Sequence, residues 1–272
     1  MLAEERRAQI LRIAEQLGFV SLQDLLSELG ASESTLRRDL DFLASTGQIE
    51  RTRGGCSYAG DSLSDFEFRR EQSSREKRGI ARRTADMIAS GETILLDGGT
   101  TTLEVSRYLT GKALQVITNS LPIATLLMNR AGIELIFIGG YVYPKTGVAL
   151  GDIAVSALEA VHAGRLVMST GGITEEGLFN SNALLVETER RMLRSAERVT
   201  LVADSTKFGH RALTHLCDLN AVDELVTDDG ISPEWKSVMQ DAGIRVIEVA
   251  SDVSSPKTTT GSASDLSATV PR

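Results

Sequence analysis

At 272 residues, with 42% hydrophobic and 24% charged residues, the chain exceeds one small module and has the composition of a globular protein of about two domains. No apolar run approaches the roughly twenty residues that span a bilayer, and Glu4 and Glu5 precede any apolar run, so neither a membrane span nor a secretory signal is expected. The net charge of −8 does not announce a nucleic-acid binder, and two cysteines, Cys56 and Cys217, exclude a disulfide framework and suit the cytoplasm.

A first helix is expected from about Ala3 to Leu17, where Ile10, Ile13, Ala14 and Leu17 recur at helical spacing and Gly18 follows. Ser21 and Asp24 have capping-box spacing, and Leu22, Leu25, Leu26 and Leu29 line one face of a second helix that Gly30 closes. Ser32 is the N-cap of a third helix reaching about Ser45. Leu36, Leu40 and Leu43 share a narrow arc of it; Ser34, Arg37, Arg38 and Asp41 point away from that arc, and Thr35 flanks it. Such a face is either solvated surface or a set of hydroxyls and guanidiniums aimed at base edges and phosphates.

The next residues favour the second reading. Gln48 to Thr52 has strand character and Arg53-Gly54-Gly55 makes a tight turn, so Arg51 and Arg53 occupy a basic hairpin suited to a DNA backbone or minor groove. Through Tyr58 there are seven arginines against nine acids, yet four of the seven, Arg37, Arg38, Arg51 and Arg53, fall in the third helix and this wing. Affinity follows the cations that reach phosphates rather than their sum. The candidate DNA-contacting residues are Ser32, Ser34, Thr35, Arg37, Arg38, Arg51 and Arg53, with a double-stranded operator as partner.

The stretch ASESTLRRDLDFL from Ala31 to Leu43, followed by GQIERTRGG, resembles the DeoR family of bacterial transcriptional regulators. That family pairs Ser-Glu-x-Thr-hydrophobic-Arg-Arg-Asp-Leu with a downstream Arg-x-x-Gly-Gly.

Residues 59–75 lack an apolar period and read as a linker. The basic run from Arg69 to Arg83 includes Lys77 and reads mainly as a solvated helix entering a second domain, with Ile80, Ala81, Thr84, Ala85 and Ile88 facing its core. From Gly91 onward, short apolar runs end in small or polar residues and alternate with helical stretches. Strands are expected at Thr93–Leu96, Val116–Thr118, Glu134–Ile138, Arg165–Met168, Val199–Ala203, Leu225–Thr227 and Ile244–Val249. The alternation implies a mainly parallel sheet covered by helices. The domains expected are therefore 1–58 (winged helix-turn-helix), 59–75 (linker), 76–250 (α/β) and 251–272, a Ser/Thr-rich disordered tail.

In such sheets ligands bind beyond the carboxyl ends of strands. Gly98-Gly99-Thr100-Thr101-Thr102 opens a helix with free amides and hydroxyls, which fits a phosphate; the competing reading is an ordinary turn with a threonine cap, although three hydroxyls exceed what one cap needs. Neither G-x-x-x-x-G-K-[ST] nor G-x-G-x-x-G is present there, which disfavours a nucleotide triphosphatase or a nicotinamide enzyme. His210, His215 and Cys217 lack an established ligand spacing, and no metal site is assigned. Asp97, Asp204 and Lys207, with Glu187 and His210 near in sequence, could furnish the acid and base of an isomerase, the alternative to a regulator.

The second half also resembles the DeoR family, whose sensor domain shows Leu-Asp-Ser-Gly-Thr-Thr, Thr-Asn-Ser, a Gly-Gly pair and Ala-Asp-Ser-Ser-Lys-Phe. Here stand Leu96-Asp97-Gly98-Gly99-Thr100-Thr101, Thr118-Asn119-Ser120, Gly139-Gly140 and Ala203-Asp204-Ser205-Thr206-Lys207-Phe208. Gly98 replaces the usual serine, and Ser169-Thr170-Gly171-Gly172 stands where an acidic residue before one glycine is more common.

The resemblance implies an α/β sensor akin to sugar-phosphate isomerases, a cytoplasmic repressor working as a homodimer or higher oligomer, and a phosphorylated sugar or polyol as effector. No cofactor and no catalytic residue is assigned. Candidate effector contacts are Asp97, Gly98, Gly99, Thr100, Thr101, Thr102, Asn119, Ser120, Gly139, Gly140, Gly171, Gly172, Asp204 and Lys207.

Overall fold

The computed structural model describes residues 3–17, 19–45, 48–52, 54–58, 66, 70–144 and 146–250. Gly18, Arg53, most of the expected linker and the expected tail (251–272) lie outside the described residues.

The N-terminal part holds α1 (Ala3–Leu17), β1 (Phe19–Ser21), α2 (Leu22–Leu29), α3 (Glu33–Ser45), β2 (Ile49–Thr52) and β3 (Gly55–Tyr58). Both expected caps are made: Asp24 N–H donates to Ser21 Oγ at 3.1 Å, and Thr35 N–H donates to Ser32 Oγ at 3.3 Å. Ile10, Ala14, Leu25, Leu36, Leu40 and Leu43 bury their side chains together with Ile49 and Cys56 of the hairpin, so one small core joins the helices to the wing. The strands form an antiparallel sheet in the order β1–β3–β2. β1 was not expected, since three residues are too few to show a period. It accounts for the second glycine of the Arg-x-x-Gly-Gly pattern: a Cβ on Gly55 would stand 2.2 Å from the Val20 carbonyl oxygen.

The C-terminal part begins with α4 (Ser74–Met87). β4 (Thr93–Leu96), β5 (Leu114–Thr118), β6 (Ile133–Phe137), β9 (Arg165–Met168), β12 (Val199–Val202), β14 (Glu224–Asp228) and β15 (Arg245–Val249) form one seven-stranded sheet, every pair parallel. Its order is β15–β14–β12–β9–β4–β5–β6. α5 (Thr100–Arg107), α6 (Leu121–Leu127), α7 (Asp152–Glu159), α8 (Ala183–Arg194) and α9 (Pro233–Asp241) are further helices of this part. Ile94 and Leu96 pack with Ile80, Ala85, Leu103 and Ile123 on one face, while Leu95, Leu166 and Met168 pack with Leu158, Val186 and Met192 on the other. Strands covered on both faces read as the continuous apolar runs seen in the sequence.

Short antiparallel strands were not expected. β7 (Tyr141–Tyr143) pairs with β8 (Val148–Leu150), and β10 (Gly172–Thr174), β11 (Gly177–Asn180) and β13 (Thr214–Cys217) form a three-stranded sheet. His215 stands on β13, whereas His210 lies in a loop.

At the amino ends of the strands, Arg165 is buried and donates to Glu224 Oε2 at 2.7 Å and to Thr200 Oγ1 at 2.8 Å. Burial pushes the Glu224 carboxyl up, but the hydrogen bond and charge of Arg165 outweigh it and hold the group below its usual range. Among the described residues no helix is long and apolar enough to cross a membrane.

Candidate functional site

Two places bring together the residues that the sequence nominates. The first is the exposed face of α3. Ser32, Ser34, Arg37 and Arg38 are exposed and Thr35 is half-buried, while Leu36 and Leu40 turn inward. Arg37 is held by Glu33, with Nη2 to Oε1 at 2.7 Å. Arg51 on β2 pairs with Asp41 Oδ1 at 3.1 Å and donates to the Arg37 carbonyl at 3.4 Å, so the wing is tied to α3. Arg38 makes no ion pair or hydrogen bond among the described residues and is open to a phosphate or a base edge. Arg53 lies outside the described residues.

The motif also contains a residue that the sequence reading passed over. Asp39 is only 2% exposed. Its Oδ2 accepts from Arg6 Nε at 2.6 Å and its Oδ1 from Arg7 Nε at 2.8 Å, and the Arg7 guanidinium also lies 3.8 Å over the Phe42 ring. This clamp fixes α3 against α1. It also means that Arg6 and Arg7, counted among the basic residues, serve the fold.

The second place is a cleft at the carboxyl ends of the sheet. The chain lays down β4, adds β5 and β6 to one side, and then places β9, β12, β14 and β15 on the other. The order reverses between β4 and β9, which opens a crevice there. Asp97, Gly98, Gly99, Thr100, Thr101, Gly171, Asp204 and Lys207 line it, with Thr146, Ser169, Asn180 and Glu189.

The floor is built for close approach of backbone amides. A Cβ on Gly99 would stand 1.8 Å from Ser169 Oγ, and one on Gly98 would stand 2.0 Å from Val148 Cγ1. Val148 thus fills the space that the usual serine would need. The N–H groups at the start of α5 have no carbonyl one turn earlier, and the positive end of the helix lies at the crevice. Lys207 is half-buried and has no ion pair or side-chain hydrogen bond among the described residues. Thr146 Oγ1 is buried in the wall without a hydrogen-bond partner among the described residues.

Three carboxylates surround these donors. Asp97 is 2% exposed and its Oδ2 accepts the Ser169 N–H at 3.3 Å. Burial pushes its carboxyl up from 3.8 to about 6, against hydrogen bonds from Gly98 and Ser169 that favour the charged form. A raised value means that the fold prefers the neutral carboxyl. The associated stability is complete below pH 3.8 and is lost as pH rises through about 6. Asp97→Asn is therefore expected to raise the melting temperature at pH 8 and to lose that advantage below pH 3.8; equal melting temperatures at pH 8 would contradict the burial penalty.

Glu189 on α8 is also 2% exposed and accepts both bonds from Asn180 Nδ2, at 2.8 and 2.7 Å. Asn180 Oδ1 in turn accepts from Gly171 N–H, which fixes the Ser169–Gly172 turn. Glu187, near the acid and base candidates in sequence, is exposed. The signal for Glu189 was its place on the apolar stripe of α8, between Val186 and Met192. Asp204 caps the short 3-10 turn 205–207, accepting from the N–H and hydroxyl of Thr206.

The remaining nominated residues do not line the cleft. Thr102 is buried and donates to the Gly99 carbonyl at 2.8 Å. Asn119 donates to the Ala149 carbonyl at 2.9 Å, and Ser120 Oγ accepts from Ile123 N–H at 3.4 Å as the cap of α6. Gly139 and Gly140 lie between β6 and β7, and Gly172 packs against the His210 backbone. Burial pushes the Cys217 thiol up to about 12, far from a reactive thiolate. No group of His, Cys, Asp and Glu among the described residues could hold a metal ion.

A family model described as the DeoR-like helix-turn-helix domain matches residues 6–61, and one described as the DeoR C terminal sensor domain matches residues 72–229. The chain is 33% identical over 252 residues to a putative aga operon transcriptional repressor of Escherichia coli O157:H7, covering 90% of this chain and 93% of that protein. It is 30% identical over 252 residues to the uncharacterized HTH-type transcriptional regulator YulB of Bacillus subtilis, covering 92% and 98%. Among solved structures, a Pyrococcus horikoshii translation initiation factor eIF-2B aligns with TM-score 0.41 at 18% identity, covering 78% of this chain and 74% of that one. Ribose 5-phosphate isomerase A of Neisseria gonorrhoeae aligns with TM-score 0.39 at 15% identity, covering 52% and 55%. At those scores the structural likenesses carry no argument. The chain belongs to the DeoR family of DNA-binding transcriptional regulators.

Proposed function

We propose that this DeoR-family regulator is a cytoplasmic repressor of genes for carbohydrate use, released from its operator by a phosphorylated sugar or polyol bound in the cleft. The observation that carries this reading is the convergence of the Gly99–Thr101 amides, the α5 dipole and the Lys207 ammonium on one crevice, in a chain that also carries a DNA-reading helix. The phosphate would rest on the amides and Lys207. Thr146 and the carboxylates offer partners for sugar hydroxyls, which donate to carboxylates where a second anion would be repelled. The DNA contacts assigned are Ser32, Ser34, Thr35, Arg37, Arg38 and Arg51 of the described residues. Paired heads on repeated half-sites fit a homodimer or higher oligomer.

The carboxylates are the feature that an isomerase would share. Their engagement favours binding over proton transfer: Asp204 caps a turn, Glu189 is held by both protons of an amide, and Asp97 braces Ser169. The relatives with printed roles are regulators, including the aga operon repressor, whose operon name is said of that protein.

A thermal-shift screen of sugar and polyol phosphates tests the effector assignment. At least one is expected to raise the melting temperature, and Lys207→Ala should weaken its binding about 10- to 100-fold, the effect of one hydrogen bond to a charged group. No shift from any phosphorylated sugar or polyol would refute the sensor role.

A further inference from the structure

The outer face of α4 carries a row of cations that neither the cleft nor the core uses. Between residues 69 and 83 stand seven basic residues against two acids, in a chain whose net charge is −8. Lys77, Ile80, Ala81, Thr84 and Ala85 turn inward and are buried. Arg75, Arg78 and Arg82 fall at i, i+3 and i+7, within about 60° of one another on the opposite side, and all three are exposed. Arg83 flanks them and is also exposed.

Their lack of partners sets these arginines apart. Exposed arginines elsewhere are held by carboxylates: Arg37 by Glu33 at 2.7 Å, Arg107 by Glu104 at 3.1 Å and Arg211 by Glu176 at 2.8 Å. Arg75, Arg78, Arg82 and Arg83 make no ion pair or side-chain hydrogen bond among the described residues, although Asp86 stands four residues beyond Arg82. Like charges three and four residues apart on a helix repel, and Arg75 stands in the first turn, where the helix dipole already opposes a cation. An anion laid along the row relieves both effects. Arg107 extends the basic surface onto α5, since Ser74, Arg78, Thr100 and Arg107 line one hollow, which Glu71 and Glu104 also border.

We propose that the outer face of α4 is a second DNA-contacting surface, on which Arg75, Arg78 and Arg82 grip backbone phosphates of the duplex flanking the site that α3 reads. Seven residues of helix rise about 10 Å, and a DNA strand carries one phosphate per ~3.4 Å of axis, so the row matches the backbone of about three nucleotides. The planar guanidinium fork suits phosphate oxygens. Duplex is within reach, because the fifteen residues between Tyr58 and Ser74 span at most about 55 Å, the length of about 16 base pairs. The DNA-binding part holds seven arginines against nine acids, and Asp39 engages two of the seven, so cations supplied by α4 make up a local shortage. Such contacts carry no sequence information and add affinity rather than specificity.

Salt titration of the full-length protein tests this, on a long-flanked duplex enriched from random sequence by the unaltered protein and on a duplex of unrelated sequence. In the triple variant Arg75→Gln, Arg78→Gln, Arg82→Gln, the slope of log affinity against log NaCl is expected to be shallower by about 2.7. Between about 50 and 200 mM NaCl the unaltered protein then loses about 40-fold more affinity than the variant. Affinity at low salt falls by the same factor on both duplexes, and lysine at the three positions keeps the slope. Arg130→Gln, Arg194→Gln, Arg198→Gln, an equal change of net charge elsewhere on the surface, leaves it unchanged. An unchanged slope in a variant that melts normally overturns the proposal. So does equal shallowing in the control triple, which marks an effect of net charge, or a changed sedimenting mass in the first variant, which marks a face between copies of the chain. The unaltered protein gives an independent reading: trimming the flanks to the enriched site lowers its slope, and no change on trimming overturns the proposal whether or not the variant folds.

Discussion

Asp39→Ala is expected to unfold the DNA-binding part while the seven-stranded sheet stays intact. The carboxylate is almost fully buried and each oxygen serves a different arginine, Arg6 at 2.6 Å and Arg7 at 2.8 Å. The arginine side chains are themselves largely covered, at 13% and 27% exposure. Removing the shared anion leaves two guanidiniums packed beside each other without the carboxylate that joins them. Breaking a buried ion pair from one side costs about 3–5 kcal/mol. A unit of three short helices and a small sheet has little more stability than that to lose. Hydrogen exchange separates the two parts: protection across α1, α2 and α3 should collapse, and protection across β4 and β5 should not change. Retained protection in the helices would show that the clamp is dispensable.

Arg38→Ala is expected to act in the opposite manner, weakening operator binding without touching the fold. Arg38 projects from the α3 face next to Ser34 and Arg37 and has no partner among the described residues to lose. The substitution therefore leaves no orphaned group in the protein. A well-placed arginine contact to a base contributes about 1–3 kcal/mol, a loss of about 10- to 100-fold in affinity. Gel-shift titration against a duplex enriched from random sequence by the unaltered protein measures it. Unchanged affinity would remove α3 as the reading helix.

Much of this architecture was legible because two kinds of signal were strong. The helices of the DNA-binding part announce themselves through Leu36, Leu40 and Leu43 and through the caps Ser21 and Ser32. The central parallel strands, such as β4, β9 and β12, are buried on both faces, largely apolar, and followed by small or polar residues. What escaped was non-local. Asp39, Lys77 and Glu189 are charged residues that burial turns into positioning or cleft-wall groups, and sequence patterns send charges to the surface. Their partners explain the burial: Arg6 lies 33 residues from Asp39, and Asn180 lies 9 residues from Glu189.

The cleft residues divided for a similar reason. Small and polar residues end nearly every strand, but only the ends of β4, β9 and β12 meet at the point where strand order reverses. At the end of β5 the same signal has another cause. Ala149 N–H donates to the Asn119 carbonyl at 2.8 Å while the Asn119 amide returns a bond to Ala149, so the β7–β8 hairpin occupies the place where a ligand was expected. Short strands such as β1 and β10 carry too few residues for alternation to show.

The coexistence of a DNA-reading face with an anion-ready cleft is the central claim, and one titration tests it most directly. Operator affinity of the full-length protein should be measured with and without the sugar or polyol phosphate that gives the largest thermal shift, at constant ionic strength. The account predicts that the ligand weakens binding of the unaltered protein by roughly 5- to 150-fold, and that Lys207→Ala binds the operator normally but no longer responds at the same ligand concentration. Operator affinity that stays constant while the ligand saturates the cleft would contradict it.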